Sequence, residues 1–310
     1  MRSISMGNVF SLCLSLDEDT ATFPDSFDSN TTIRLPLTYQ MMPFSAYPWM
    51  ICTHGLGSRN PGITNHTTDA FLSDIVLRGA KLSQMSYVSY TTRGHGESTG
   101  WEETAQSNPE QFQWKYLSND MNAVSNYIGV KSYIAAGHSM GSATALYSAL
   151  NHPSKIQGVI LLRPPTAWEE RVARRDKLLN NADACEQANP GQPHHHVLRG
   201  TAYSDLPSQD DRALYSKIKC PVLILTIKGD PVHPLSTSYI LSRLIPTATL
   251  LVVDDLEDAK KQWPYVIRNF CDDINRRYAA TMRISSNAAD KKNKMVTNSS
   301  PKMRKIGIAI

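Results

Sequence analysis

The sequence predicts an α/β fold: a mostly parallel sheet flanked by helices, with a short helical lid. Three observations predict it. Apolar, β-rich runs of five to eight residues alternate with longer stretches at helical spacing, the pattern of strands joined by crossover helices. One run, "KSYIAAGHSMG", passes directly from a strand through a glycine–serine–glycine turn into a small-residue helix. The alternation also breaks once, between residues 164 and 213, where a polar segment too long for an ordinary connection interrupts the sheet.

Taken in order, "PWMICTHG" reads as a buried strand stopping at a glycine turn, and "TTDAFLSDIVLRGAKL" as the helix that follows. "MSYVSYTTRG" is the next strand. "PEQFQWKYLSNDMNAVSNYIGV" has apolar residues at helical spacing and a proline suited to a first turn. After the glycine–serine turn, "SATALYSALNHP" is a helix ended by Pro153. "IQGVILLRPP", "CPVLILTIKGD" and "TATLLVVDD" are the remaining strands, and "WPYVIRNFCDDINRRYAA" is a closing amphipathic helix. The interrupting segment begins "TAWEERVARR", a charged helix whose Trp168 is expected to pack toward the pocket, and then turns loop-like through "HHH". Three adjacent histidines on an extended segment point to alternate sides and do not converge on one ion, so no metal site is read there.

The chain has 310 residues, enough for one large core. Its five cysteines (Cys13, Cys52, Cys185, Cys220, Cys271) are odd in number and include no CxxC pair. Neither a disulfide framework nor a zinc site is indicated, and a reducing, cytoplasmic setting is expected. The net charge of +4 is uneven: residues 282–310 hold seven Lys/Arg against one acid, leaving the body at −2. A slightly acidic globule with a basic, Ser/Asn-rich tail is not a nucleic-acid-binding domain, and a disordered tail is expected over 281–310. No apolar run is long enough for a membrane span, and the amino-terminal patch lacks a cleavage site before its acids begin. "MGNVFS" from Met6 fits an acylation pattern, with Cys13 as a second acceptor, only if translation starts at Met6.

Chemistry concentrates in Gly137-His138-Ser139-Met140-Gly141. A tight strand-to-helix turn holds such a serine in a strained conformation, and the flanking glycines remove side chains that would clash. The hydroxyl then stands at a helix N-terminus, where the positive end of the dipole favours a developing anion. Around this turn lie, in order, "HGLGS" (54–58), "TTRGHGES" (91–98) and "LTIKGDPVHPLST" (225–237). With these motifs, residues 48–278 resemble the α/β-hydrolase superfamily. The resemblance implies that Ser139 is the nucleophile and that the backbone N–H groups of Leu56 and Met140 form the oxyanion hole. It implies that Arg93, His95 and His54 brace loops, and that His138 points away from the nucleophile. Asp230, in a D-x-x-H-P arrangement, would be the acid that orients a base histidine.

The resemblance also places that histidine just after the last strand, some seven residues before a proline that begins the closing helix. Counting back from Pro264 reaches Glu257, inside "DDLEDAKKQW", and no histidine follows it. Three readings stand. His233 in "DPVHP" is the base, oriented by Asp254 or Asp255 because Asp230 lies only three residues away. Alternatively Glu257 or Asp258 serves directly, although a carboxylate near its usual pKa of about 4.3 is a poor base for a hydroxyl. In the third reading Ser139 is not activated and the fold binds a small molecule. The D-P-x-H-P-x-S-T loop together with "PPTAWE" further resembles a subfamily without a histidine after the last strand.

The expectation is therefore a hydrolase core over 1–163 and 214–280, a lid over 164–213 and a basic tail. The expected activity is hydrolysis of, or acyl transfer from, an ester or thioester of a small molecule, with Ser139, Asp230 and His233 catalytic and Leu56 and Met140 binding the oxyanion. The alternative is a catalytically silent small-molecule binder. No metal, nucleotide or flavin motif is found, so no cofactor is expected; the expected partner is a small acyl substrate, with no nucleic acid and no stable membrane insertion.

Overall fold

The structure is a computed structural model that describes residues 17–42, 48–59, 69–191 and 193–298. The acylation pattern at Met6 and Cys13 lies outside the described residues. Eight strands form one sheet in the order β1-β2-β4-β3-β5-β6-β7-β8. They are β1 (Asp17–Pro24), β2 (Thr32–Gln40), β3 (Trp49–Thr53), β4 (Tyr87–Tyr90), β5 (Tyr133–His138), β6 (Ile156–Leu162), β7 (Val222–Ile227) and β8 (Ala248–Val253). β3 through β8 run parallel, while β1 and β2 form an antiparallel pair whose inner strand joins β4. This pair adds two strands to the sequence reading. "TIRLPLTYQ" does alternate, with Ile33, Leu35 and Leu37 buried, but Pro36 in its middle hides the signal.

The helices are α1 (Arg78–Leu82), preceded by π-helical turns over Leu72–Leu77, then α2 (Glu102–Ala105), α3 (Trp114–Tyr127), α4 (Met140–Asn151), α5 (Glu169–Ala188), α6 (His194–Ala202), α7 (Arg212–Tyr215), α8 (Leu235–Leu244) and α9 (Leu256–Asn298). Strand residues alternate between two cores. Tyr133, Ala135, Val159 and Leu161 pack with Leu117, Met121 and Val124 of α3 and Leu146 of α4. Ile134, Ala136, Ile160 and Leu162 pack with Ala80 of α1 and Trp263, Ile267 and Cys271 of α9. Strands buried on both faces are what parallel sheets require, and they explain the near-continuous apolar runs.

Two features of α9 correct the sequence reading. The helix begins at Leu256, so Pro264 lies inside it, and the acid-rich "loop" is its first two turns. Asp255 starts it, its carboxylate accepting from the Asp258 N–H at 2.9 Å. The helix also continues to Asn298 where a disordered tail was expected, because no proline or glycine stops the chain between Ala279 and that point. Residues 299–310 lie outside the described residues. No helix among the described residues is long and apolar enough to cross a membrane.

Strand order reverses at β3, with β4 on one side and β5 on the other. That reversal opens a crevice beyond the carboxyl ends of β3 and β5, where ligands bind in open α/β sheets. The 59 residues from 163 to 221 join β6 to β7 and supply α5, α6 and α7 above this edge.

Candidate active site

Ser139 follows β5 directly and caps α4 with φ 53° and ψ −114°, a sparsely populated conformation for a residue with a Cβ. Its neighbours must be glycine. A Cβ on Gly137 would stand 2.2 Å from the backbone carbon of Gly141, and one on Gly141 would stand 2.2 Å from the Thr53 carbonyl oxygen. The turn is pinned to the sheet by the Ser139 N–H donating to the Leu162 carbonyl at 2.9 Å.

The Ser139 Oγ is 2.8 Å from His233 Nε2, and His233 Nδ1 is 2.9 Å from Asp230 Oδ2. Asp230 and His233 are only three positions apart, a spacing that looks too short for one to orient the other. The turn removes the difficulty. Asp230 Oδ1 accepts from the backbone N–H groups of Val232 and His233 at 3.0 and 3.2 Å, folding the chain back over the carboxylate. Oδ2 is then left to face the imidazole. A carboxylate only accepts, so Nδ1 carries the proton and Nε2 is free to accept from the serine hydroxyl. Burial lowers the His233 pKa, the Asp230 hydrogen bond opposes that, and the charge of Arg163 lowers it further. For Asp230 burial alone would raise the pKa, but hydrogen bonds from His233 and Arg163 outweigh it and hold the carboxyl well below its usual range.

Arg163 was not singled out from the sequence. It ends β6 with φ 47°, donates through Nε to Asp230 Oδ2 at 2.8 Å, and sits over the Phe71 ring with 4.4 Å between guanidinium carbon and centroid. Phe71 in turn stacks on His138 at 4.5 Å. A lone arginine closing an apolar strand, as in "VILLRPP", is the sequence signal that marks it.

The other candidate bases are elsewhere. Asp254 is exposed and pairs with Lys228, Asp255 caps α9, and Glu257 is exposed and pairs with Lys260. His54 is fully buried: its Nε2 accepts from the Thr92 N–H at 3.1 Å, so Nδ1 donates to the Gly55 carbonyl at 2.8 Å. Burial drives its pKa down to about 4, which suits a neutral brace between two loops. Arg93 is buried between Asp120 and Asp25, at 2.6 and 3.0 Å. His138 turns from Ser139 to Asp69, 2.8 Å away, and Asp69 also accepts from the Gly55 N–H at 2.8 Å. Asp69, another residue the sequence reading passed over, thus ties the loop after β3 to the turn at Ser139.

Leu56, Ser139 and Met140 line one narrow cavity of about 30 Å³, closed from above by Arg171, Arg174 and Leu178 of α5. Met140 is the first residue of α4, where the N–H has no partner within the helix. A larger cleft of about 490 Å³ runs along Ile156, Pro221 and Ile274, at the amino ends of the strands and away from Ser139. Trp168, expected to pack toward the pocket, does not line the cavity beside Ser139; its indole N–H donates to the Pro207 carbonyl at 2.8 Å and its ring packs on the core. The three histidines open α6, a helix where a loop was expected.

A family model described as "alpha/beta hydrolase fold" matches residues 48–184. The putative carbamate hydrolase RutD of Caulobacter sp. (strain K31) is 25% identical over 202 residues, covering 55% of this chain and 73% of that protein. Homoserine O-acetyltransferase from Staphylococcus aureus superposes with a TM-score of 0.63 at 11% identity, over 83% of this chain and 94% of that one. A thermophilic esterase from Thermogutta terrifontis gives 0.59 at 16% identity, over 84% of this chain and all of that one, 100%. On this sheet order and these matches, the chain has the α/β-hydrolase fold.

Proposed function

We propose that this protein is a serine hydrolase or acyltransferase acting on an ester or thioester of a small organic molecule. One observation carries the reading: the unbroken relay Ser139–His233–Asp230, at 2.8 and 2.9 Å, on the carboxyl edge of the sheet. Ser139 attacks the acyl carbon while His233 Nε2 takes its proton. Asp230 keeps the imidazole in the required tautomer and stabilises the imidazolium that forms. The oxyanion is received by the N–H groups of Leu56 and Met140, the latter at the positive end of α4. Collapse of the tetrahedral species transfers the proton to the leaving alcohol or thiol, and water or an acceptor then releases the acyl group. A cavity of about 30 Å³ has room for only one or two waters, so substrate entry requires α5 or its side chains to move.

The D-P-x-H-P loop, carrying acid and base together, supports membership of the subfamily without a histidine after the last strand. The RutD relative is named a carbamate hydrolase, which agrees with attack on a carbonyl flanked by a heteroatom. The test is labelling with a fluorophosphonate. Wild type is expected to label, and both Ser139→Ala and His233→Ala to lose labelling. A folded wild type that resists the probe, or His233→Ala labelling at the wild-type rate, sinks the mechanism. In the silent-binder alternative, Ser139→Ala would change neither probe reactivity nor turnover, because there would be none to lose.

A further inference from the structure

The lid side of the catalytic cavity is lined with hydrogen-bond donors that lack acceptors. Arg171 is 6% exposed and Trp114 and Thr201 are each 2% exposed, and all three line the space in front of Ser139. The Arg171 guanidinium lies over the Trp114 ring, 4.5 Å from its centroid, and uses Nε and Nη2 to bind the carbonyls of Ser204 and Thr201 at 2.8 and 2.7 Å. Its Nη1 meets no acceptor among the described residues. Trp114 Nε1 and Thr201 Oγ1 are buried and likewise without a partner. One turn along α5, Arg174 faces the same cavity and forms no ion pair with a described residue. The eleven lining residues include two arginines and no acid. Asp205, the carboxylate whose field reaches Arg171, is engaged by the N–H groups of Trp168 and Leu206 at 3.0 and 2.7 Å.

Buried donors and charges without partners are costly in an empty site and become favourable when an anion supplies the acceptors. Arginine in particular matches a planar carboxylate through two parallel hydrogen bonds. From this we infer that the substrate carries a carboxylate in addition to its scissile ester or thioester, held by Arg171 and Arg174 with Trp114 and Thr201 completing its shell. The narrow cavity suits a planar carboxylate better than a tetrahedral phosphate. This inference rests on the serine-hydrolase reading and names the substrate class for that site.

The experiment compares matched esters: mono-4-nitrophenyl adipate with 4-nitrophenyl hexanoate, and 4-acetoxybenzoate with 4-acetoxybenzamide. The pairs place the charge on the acyl side and on the leaving side. Fluorophosphonate titration of Ser139 counts active sites in each preparation, so a dead nucleophile is distinguished from a wrong substrate class. In at least one pair kcat/KM is expected to favour the anionic member ten-fold or more. Arg174→Gln and Arg171→Gln should each shrink that ratio by about 10-fold, the loss of one charge-assisted hydrogen bond. Calorimetry on Ser139→Ala reads the site without chemistry: adipate should bind and hexanamide should not, with adipate binding lost in Arg174→Gln. Labelled enzyme that shows no anionic preference in either pair overturns the inference. So does an Arg174→Gln variant that slows both members of the preferred pair equally, or, where the acyl-side pair shows the preference, a Ser139→Ala variant that fails to bind adipate.

Discussion

Arg163 presses a positive charge against Asp230, and its removal gives the most discriminating test of how the proposed relay is tuned. Arg163 Nε and His233 Nδ1 bond the same carboxylate oxygen at 2.8 and 2.9 Å, so the two nitrogens are at most about 5.7 Å apart. Two unit charges at that separation repel by roughly 1.5–3 kcal/mol for an effective dielectric of about 20–40, the range for a site whose arginine is 18% exposed. Arg163 therefore disfavours the imidazolium and keeps His233 neutral, able to accept a proton, further into the acid range. The substitution Arg163→Met removes the charge and leaves a side chain able to cover Phe71. The backbone penalty at φ 47° is common to both residues, so it does not enter the comparison. The assay is the rate of fluorophosphonate labelling against pH. Its acid limb should move to higher pH in Arg163→Met, with labelling slowed about 10–100-fold at a fixed pH below the midpoint. Arg163→Lys, which keeps the charge, should stay near wild type. An acid limb that does not move, or that moves to lower pH, refutes the claim that Arg163 sets the basicity of His233.

Three further outcomes follow from the same geometry. Asp69 is held at about 2: burial alone would raise it, but hydrogen bonds from His138 and Gly55 outweigh that. A carboxyl depressed in the folded state stabilises above its unfolded pKa of about 3.9, and the stabilisation is lost as pH falls toward the folded value. Asp69→Asn should thus cost about 2 kcal/mol in denaturant melts at pH 7, with the difference shrinking as pH falls from about 4 toward 2; a constant difference across that window would contradict it. Gly141→Ala drives a methyl to 2.2 Å from the Thr53 carbonyl oxygen, so melts should show a loss of about 3 kcal/mol or more, together with loss of labelling. Glu257→Ala, at an exposed position on α9, should label at the wild-type rate and stay within about 0.5 kcal/mol of it in stability.

Much of the fold is legible in the sequence because strands buried on both faces leave near-continuous apolar runs, as β6 and β7 do, and the half-exposed edge strand β8 is still mostly apolar. What escapes is the strand that breaks its own pattern, Pro36 in β2, and the helix that opens with acids and lysines, the first turns of α9. The turn at Ser139 is legible for a steric reason: only glycine fits at 137 and 141, and the serine between them is forced into view. Pairings across long chain distances are not legible. Asp69 meets His138 and Arg163 meets Asp230, 69 and 67 residues apart, through sheet order rather than local pattern. The misjudged relation of Asp230 to His233 has the opposite origin. A local turn, closed by the carboxylate on its own downstream N–H groups, makes close sequence spacing an advantage.

Under the proposed mechanism, that turn also explains why the end of the last strand can do without a histidine. β7 and β8 are parallel neighbours, with Ile227 paired to Val253, so the loops leaving them start side by side. After β8 only Asp254 and Asp255 precede α9, and both are committed, one to Lys228 and one to the cap of the helix. A connection that short holds no residue able to travel inward to Ser139, and α9 must start there for Trp263, Ile267 and Cys271 to cover the sheet. After β7 the chain has seven residues before α8 begins, and they form a bend that carries Asp230 and His233 together. Placing both groups on one loop changes what can be perturbed. With acid and base on separate loops, either can move without the other. Here any shift of residues 230–233 moves Asp230 and His233 as a unit, and the loop is held from outside by Arg163 on the carboxylate and by Thr166, whose N–H and Oγ1 donate to the Val232 carbonyl at 3.2 and 2.8 Å. In the proposed relay the charge that tunes His233 is therefore also one of the contacts that fix where its imidazole stands.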